Sequence, residues 1–378
     1  MQESADAAAE DCPLEWSILS RQTFRGDDML SRWLIKRILF ALGILAAFAA
    51  SSVRAEMAPW EKSLYDAALK EKPLTVYTAH YNTDDAAALC AAFEKKYAGL
   101  KCNFVRTTAQ VAYQRLQQDM QANAPVASVF SSTDVSHYPA LKSKGLLMRY
   151  TPHSAANMVD ALKQYNDKDG DYWVTAAALM LITYNSSQVA EKDAPKNWTD
   201  LLDAKWKGKV AIGHPAYSGY VGTWVVLMRK LYGWDYFTRL EKNQPQIGRS
   251  VNDTVTMLNS KERLVAAGPE GTTLLSRDKG NPLAVVYPTD GALLMVSPSG
   301  IPKDAPSPNA GKLYMEFLLS KEAAEVQVKS HNISVVKGVA PAPGAKPLEA
   351  IKVVRPTEEE ITKGIPEVKE QFRDTFGV

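Results

Sequence analysis

From Leu74 onward the apolar positions switch repeatedly between two periods. "LTVYTAH" (74–80) is β-branched and aromatic, as a strand requires. "DDAAALCAAFEKKY" (84–97) follows at helical spacing with acids in its first turn. "KCNFVRTT" (101–108) predicts a strand, "VAYQRLQQDMQAN" (111–123) a helix and "VASVFSS" (126–132) a strand. "DYWVTAAALMLITYNS" (171–186) is too long for one ordinary strand and is expected to pass from one sheet to another. A second series then opens with the strand "KVAIGHP" (209–215). Helices "VGTWVVLMRKLYG" (221–233), closed by Gly233, and "WDYFTRLEKN" (234–243) follow, then strands "RLVAAG" (263–268) and "LAVVYP" (283–288). "NAGKLYMEFLLSKEAAEVQVKSH" (309–331) predicts a long helical region with a break near Ser320. "GVAPAPGAKP" (338–347) has linker composition, and Ile365, Val368, Phe372 and Phe376 give the tail one apolar helical face. No internal repeat is visible.

Such βαβ alternation predicts an α/β fold of parallel-rich sheets covered by helices. Two series joined by long crossing segments predict two lobes, 56–175 with 288–333 and 176–287 with 334–378, separated by a cleft. Ligands in such folds bind beyond the carboxyl ends of strands, so the loops after positions 80, 131, 213, 268 and 287 are the candidates.

The front of the chain changes the picture. Residues 1–28 are polar and read as an upstream extension, with Met29 the better start. Within 29–55, Arg32, Lys36 and Arg37 precede the apolar run Ile38–Ala50, and Val53-Arg54-Ala55 supplies the residues a signal peptidase reads. The run is too short to span a bilayer comfortably, and no Leu-x-x-Cys follows it. A signal peptide cleaved near Ala55 and an exported chain beginning at Glu56 are therefore expected. Export leaves Cys90 and Cys102 of the three cysteines, one on a predicted helix and one opening the next strand. A structural disulfide is expected, two buried thiols being the alternative.

Composition excludes more than it selects. The 378 residues carry 44 basic and 42 acidic side chains, so the formal net charge is +2, and no dense basic block suggests nucleic acid. There is no phosphate-binding Gly-x-x-x-x-Gly-Lys loop, no Gly-x-Gly-x-x-Gly and no His-Glu-x-x-His. Ser218 lacks the Gly-x-Ser-x-Gly frame of a hydrolase nucleophile, and His214 four residues before it makes no triad. Helix starts rich in Gly, Ser and Thr do recur after strands, and such starts receive anions. They are Ser131-Ser132-Thr133, Tyr217-Ser218-Gly219-Tyr220 and Glu270-Gly271-Thr272; with His80, Tyr81 and Tyr287 they form the candidate site. Ser218 is expected to cap its helix, and Glu270 or Asp290 to meet any amine on the ligand.

"LTVYTAH", "VFSSTDVSHYPALKSKGLLMRY", "NWTDLLDAKWKGKVAIGHPAYSGY" and "VVYPTDGALLMVSPSGIPKDAPSPNAGKLYMEFLLSKEAAE" together resemble the extracellular solute-binding proteins of ABC importers, in the ferric-iron-type branch. The resemblance runs from about Leu74 to Phe376. It implies a two-lobed type II periplasmic binding fold, with each lobe a mixed sheet flanked by helices. It also implies a monomeric receptor, neither enzyme nor cofactor-dependent, that hands its solute to a permease driven by a separate ATPase. Ferric members hold iron largely through two adjacent tyrosines, and that pair falls at Gly271-Thr272 here. A glycine and a threonine hydroxyl do not replace hard phenolate ligands. Tyr217, Tyr220 and Tyr287 are the metal ligands only if iron is bound. A small anionic or zwitterionic organic solute, such as a phosphonate, phosphorylated metabolite or carboxylate, is the expected ligand.

Overall fold

The structure, a computed structural model, describes residues 57–378. The expected extension, the signal peptide and Cys12 lie outside the described residues.

The first three strands repeat one unit. After helix α1 (Pro59–Ala68) come β1 (Leu74–Thr78), α2 (Thr83–Lys96), β2 (Cys102–Arg106), α3 (Ala109–Gln121) and β3 (Val129–Ser131). β1 lies between β2 and β3, parallel to both. α2 forms where the sequence places it because Asn82 caps it, accepting from the Asp85 amide at 2.8 Å, while Asp84 and Asp85 face the positive helix end. Cys90 of α2 and Cys102 of β2 are joined by a disulfide across a Cα–Cα distance of 5.3 Å. The connection continues through α4 (His137–Ser143), β4 (Leu147–Met148) and α5 (Asp160–Lys163).

β5 (Trp173–Asn185) is the long segment singled out in the sequence. Its first part, Trp173–Met180, pairs antiparallel with β10 (Ala292–Pro302). Its second part pairs antiparallel with β8 (Val265–Pro269) and β9 (Leu283–Val286). The strand therefore passes between the two ends of one continuous sheet rather than between separate sheets. Its burial explains its composition: Val174 to Asn185 are buried except for Ala178, leaving no solvent face to mark with polar residues.

The far end repeats the first unit. β6 (Val210–Gly213), α6 (Gly219–Tyr232), α7 (Asp235–Lys242), β7 (Gln246–Gly248) and α8 (Asp253–Asn259) precede β8, and α9 (Glu270–Asp278) follows it. β6 is parallel to both β7 and β8. The strand order is β2-β1-β3-β10-β5-β8-β6-β7, with β4 and β11 (Val353–Val354) on β10 and β9 on β5. α10 (Pro308–Leu318) and α11 (Lys321–Val328) realise the helical region broken at Ser320, whose hydroxyl caps α11.

The chain closes with α12 (Glu358–Phe376), started by a reciprocal Thr357–Glu360 capping box. Its buried Ile361, Ile365, Val368 and Phe372 join α6 in the main core, where Trp198 and Trp224 are fully buried. Each such large side chain contributes about 2–3 kcal/mol by leaving water. Residues Ala58–Val378 form one compact unit, because β5 and β10 run through both ends of the sheet.

Candidate functional site

Both parallel triplets, β1–β2–β3 and β6–β7–β8, direct their carboxyl ends toward one narrow cleft. His80 follows β1, Arg106 ends β2 and Thr133 follows β3. From the other triplet come Tyr217, Ser218 and Tyr220 after β6, Ser250 and Asn252 after β7, and Gly271 and Thr272 after β8. Asn332, beyond α11, completes the lining, and Ala176 and Ala178 of β5 form part of its wall.

Tyr220, Ser250, Asn252, Thr272 and Asn332 bond within the fold, whereas Arg106, His80 and Ser218 keep uncommitted polar groups at the cleft. Arg106 donates through Nε to the Tyr81 carbonyl at 2.9 Å, which leaves its two terminal amino groups without a protein hydrogen bond among the described residues. Burial lowers its pKa, opposed by the charge of Asp253. His80 has both ring nitrogens buried without a protein partner. Its pKa is lowered to about 3, first by burial and then by Arg106, so it is a neutral imidazole with one donor and one acceptor at physiological pH. Ser218 occupies the N-cap position of α6, but its side chain makes no capping hydrogen bond. The expected cap is not formed; the hydroxyl instead lines the cleft, and the turn is closed by the His214 carbonyl, which accepts from the Tyr217 and Ser218 amides at 3.2 Å.

The candidate residues divide into two groups. His80, Thr133, Tyr217, Ser218, Tyr220, Gly271 and Thr272 line the cleft. Ser131 is tied to Ser299 at 2.5 Å, and Ser132 to His137 at 2.9 Å, which turns both hydroxyls into the fold. Tyr81 is buried and acts through its carbonyl on Arg106. Gly219 faces backbone rather than the cleft: a Cβ there would lie 2.3 Å from the Asp134 nitrogen. Glu270 is 2% exposed and accepts from the Tyr287 hydroxyl at 2.5 Å, facing a neighbouring cavity of about 440 Å³ beneath the Pro-rich 338–347 segment. Asp290 accepts from the Trp198 amide at 2.9 Å and the Tyr232 hydroxyl at 2.6 Å, so neither carboxylate is placed to meet a ligand amine in the cleft.

The three tyrosines do not converge as a metal set. Tyr220 is bound to Ser297 at 2.7 Å, and burial pushes its phenol up to about 12, away from phenolate. Tyr287 is turned to Glu270, and Tyr217 is 38% exposed with the Arg249 guanidinium over its ring at 5.0 Å. Sequence reasoning missed Arg106, Thr108, Ser250, Asn252 and Asn332. The one available signal was a lone arginine at the carboxyl end of a predicted cleft strand.

Burial pushes the Glu270 carboxyl up from 4.5 to about 7. Its contribution to stability is therefore full below about pH 4.5 and is lost as pH rises through 7. Glu270→Gln is expected to match the native protein at pH 4 and to exceed it increasingly up to about pH 7.5, by up to about 3 kcal/mol. Urea unfolding across that pH range checks the slope.

Residues 124–363 match the family described as bacterial extracellular solute-binding protein. The chain belongs to this family. A putative 2-aminoethylphosphonate-binding periplasmic protein of Salmonella typhimurium is 27% identical over 259 residues, 65% of this chain and 73% of the relative. The iron uptake protein A1 of Synechocystis is 24% identical over 289 residues, 71% and 78% of the two chains. Among solved structures, the periplasmic binding protein AfuA of Actinobacillus pleuropneumoniae, with fructose 6-phosphate bound, superposes with a TM-score of 0.73. It is 22% identical, over 81% of this chain and 99% of that one. Iron-bound HitA of Pseudomonas aeruginosa gives 0.69 at 21% identity, over 80% and 99%. The fold is thus the type II periplasmic binding fold, and the protein is a solute-binding protein whose relatives are periplasmic. No helix among the described residues is long and apolar enough to cross a membrane.

Proposed function

We propose that this solute-binding protein captures a small organic anion lacking an ammonium group and delivers it to an ABC permease served by a separate ATPase. The observation that carries the reading is the charge of the cleft: among the described lining residues Arg106 is the one formal charge and no carboxylate lines the cleft, the nearby Asp253 carboxylate that acts on Arg106 being engaged by the Ser250 amide and hydroxyl. Phosphoryl, phosphonyl and carboxyl groups match a guanidinium with neutral donors around it. Here those donors are His80 and Ser218. An ammonium-bearing ligand would be desolvated without a counter-charge, which is costly. The ferric reading is weaker, because the tyrosines supply no phenolate cluster.

The lobes expected from the sequence, 56–175 with 288–333 and 176–287 with 334–378, place one parallel triplet in each. A ligand touching both stabilises the closed state by its contacts there. The receptor is proposed to act as an exported monomer without catalysis of its own. His214 and Ser218 support that, since the His214 Nδ1 accepts from the Ala216 amide at 3.0 Å rather than from Ser218.

A calorimetric panel of fructose 6-phosphate, methylphosphonate, 2-aminoethylphosphonate, citrate and ferric citrate tests the reading. Binding of an amine-free anion, stronger than that of 2-aminoethylphosphonate, is expected. Binding of ferric citrate alone with a tyrosinate charge-transfer band, or tightest binding of 2-aminoethylphosphonate, would overturn it.

A further inference from the structure

Two glycines sit where the far end of the sheet meets the near end. Gly219 opens α6, and a Cβ on it would lie 2.3–2.4 Å from the Asp134 nitrogen, the Asp134 Cα and the Thr133 carbonyl carbon, beyond β3. Gly271 lies in the first turn of α9, and its Cβ would lie 3.0 Å from the His331 carbonyl oxygen and 3.1 Å from that of Ser330, beyond α11. In both places a helix start from the β6–β7–β8 end rests directly on backbone from the β1–β2–β3 end. Neither glycine has a positive φ, so conformational freedom does not require glycine here. Close approach does.

The surface opposite Gly219 is braced on several sides. The Asp134 amide donates to Ser132 Oγ at 3.1 Å, and its carboxylate accepts from Gln110 at 2.7 Å and from the Ser136 amide at 3.0 Å. Lys369 of α12, which packs on α6, lies 3.8 Å from the same carboxylate. Ser218, Tyr220 and Thr133 line the cleft on either side of this contact. The gap at Gly219 therefore fixes how far the Ser218 side of the site stands from His80 and Arg106.

We propose that Gly219, and to a smaller degree Gly271, are positioning residues that set the width of the closed cleft by allowing the two ends to meet backbone to backbone. The inference rests on the receptor reading for its consequence, the loss of ligand contacts that must be made from both sides at once. The contact itself is testable without any ligand.

Gly219→Ala is expected to separate the two ends without unfolding either. In the unliganded protein the radius of gyration from small-angle scattering should rise. Amides of 131–138 and 216–224 should exchange hydrogen roughly ten- to a hundredfold faster, the range that an overpacked methyl costs. The melting temperature should stay within a few degrees of the native value. Gly271→Ala should show the same changes more weakly. Gly213→Ala is the control, since its Cβ would meet Val221 at 2.4 Å and the Ser250 carbonyl carbon at 3.2 Å, all within one end. It should lower the melting temperature and leave the radius unchanged. A Gly219→Ala protein with native radius and exchange, or one that melts early like Gly213→Ala without opening, would overturn the proposal. A native protein whose 131–138 amides already exchange freely would do the same. None of these results bears on which anion binds, and the calorimetric panel does not bear on them.

Discussion

Arg106→Ala is expected to weaken binding of the phosphorylated or carboxylated ligand by roughly 10- to 150-fold, the range for hydrogen bonds to a charged group. The guanidinium is the sole formal charge among the described cleft-lining residues, and its terminal amino groups have no protein partner there. Its removal therefore deletes the one charge that lines the cleft itself. Arg106→Lys should recover only part of the affinity, because an ammonium cannot present two parallel donors to one anionic group. A separate consequence appears at His80. Arg106 is the second cause holding that imidazole below its ordinary pKa, after burial. In Arg106→Ala the His80 pKa should rise but stay well under 6.5, since burial remains. Isothermal calorimetry reads the first effect and histidine NMR the second. Unchanged affinity would remove Arg106 from the site and with it the charge argument for the ligand class.

Loss of the Cys90–Cys102 disulfide is expected to destabilise the protein by about 3 kcal/mol, the cost for a loop of this order. Its sequence separation is 12. For a chain of this size that corresponds to a fall in melting temperature of about 4–5 °C. The bond ties α2 to the first residue of β2, and Arg106 is the last residue of the same strand. Ligand affinity should therefore fall as well, even at temperatures where the double variant Cys90→Ala/Cys102→Ala remains folded. Calorimetric scans of native, reduced and variant protein check the stability effect. Equal melting points would show that the bond constrains nothing the native packing does not already hold.

The elements most legible in the sequence were those with a local cause. α2 announced itself by its capping asparagine and first-turn acids, α12 by its apolar stripe, and the break between α10 and α11 by Ser320 as a cap. The length of β5 correctly indicated a strand serving both ends of the fold, although it joins one continuous sheet. β7 escaped notice because three residues leave no period to detect, and its following turn carried Ser250 and Asn252 into the site with it. Seven of the candidate cleft residues could be placed because loops at the carboxyl ends of parallel strands converge whatever their sequence. Side-chain commitment was a different matter. Whether Ser131 faces a ligand or Ser299, and whether Glu270 faces an amine or Tyr287, depends on partners 168 and 17 residues away. Nothing local reports such pairings. Gly219 shows the same limit: the composition of its turn suited an anion cradle, while the reason for glycine lay in the backbone at Asp134.

The continuity of β5 and β10 has a mechanical consequence. Two hydrogen-bonded strands run between the ends of the sheet, and their paired stretch from Trp173 to Met180 spans the junction. Movement there is a torsion of this ladder, whose register shifts once, at Ser297/Pro298, with elastic resistance that grows with amplitude. The molecule is thus built like a leaf spring with jaws, whose travel is bounded by its own stiffness and whose return needs no catch.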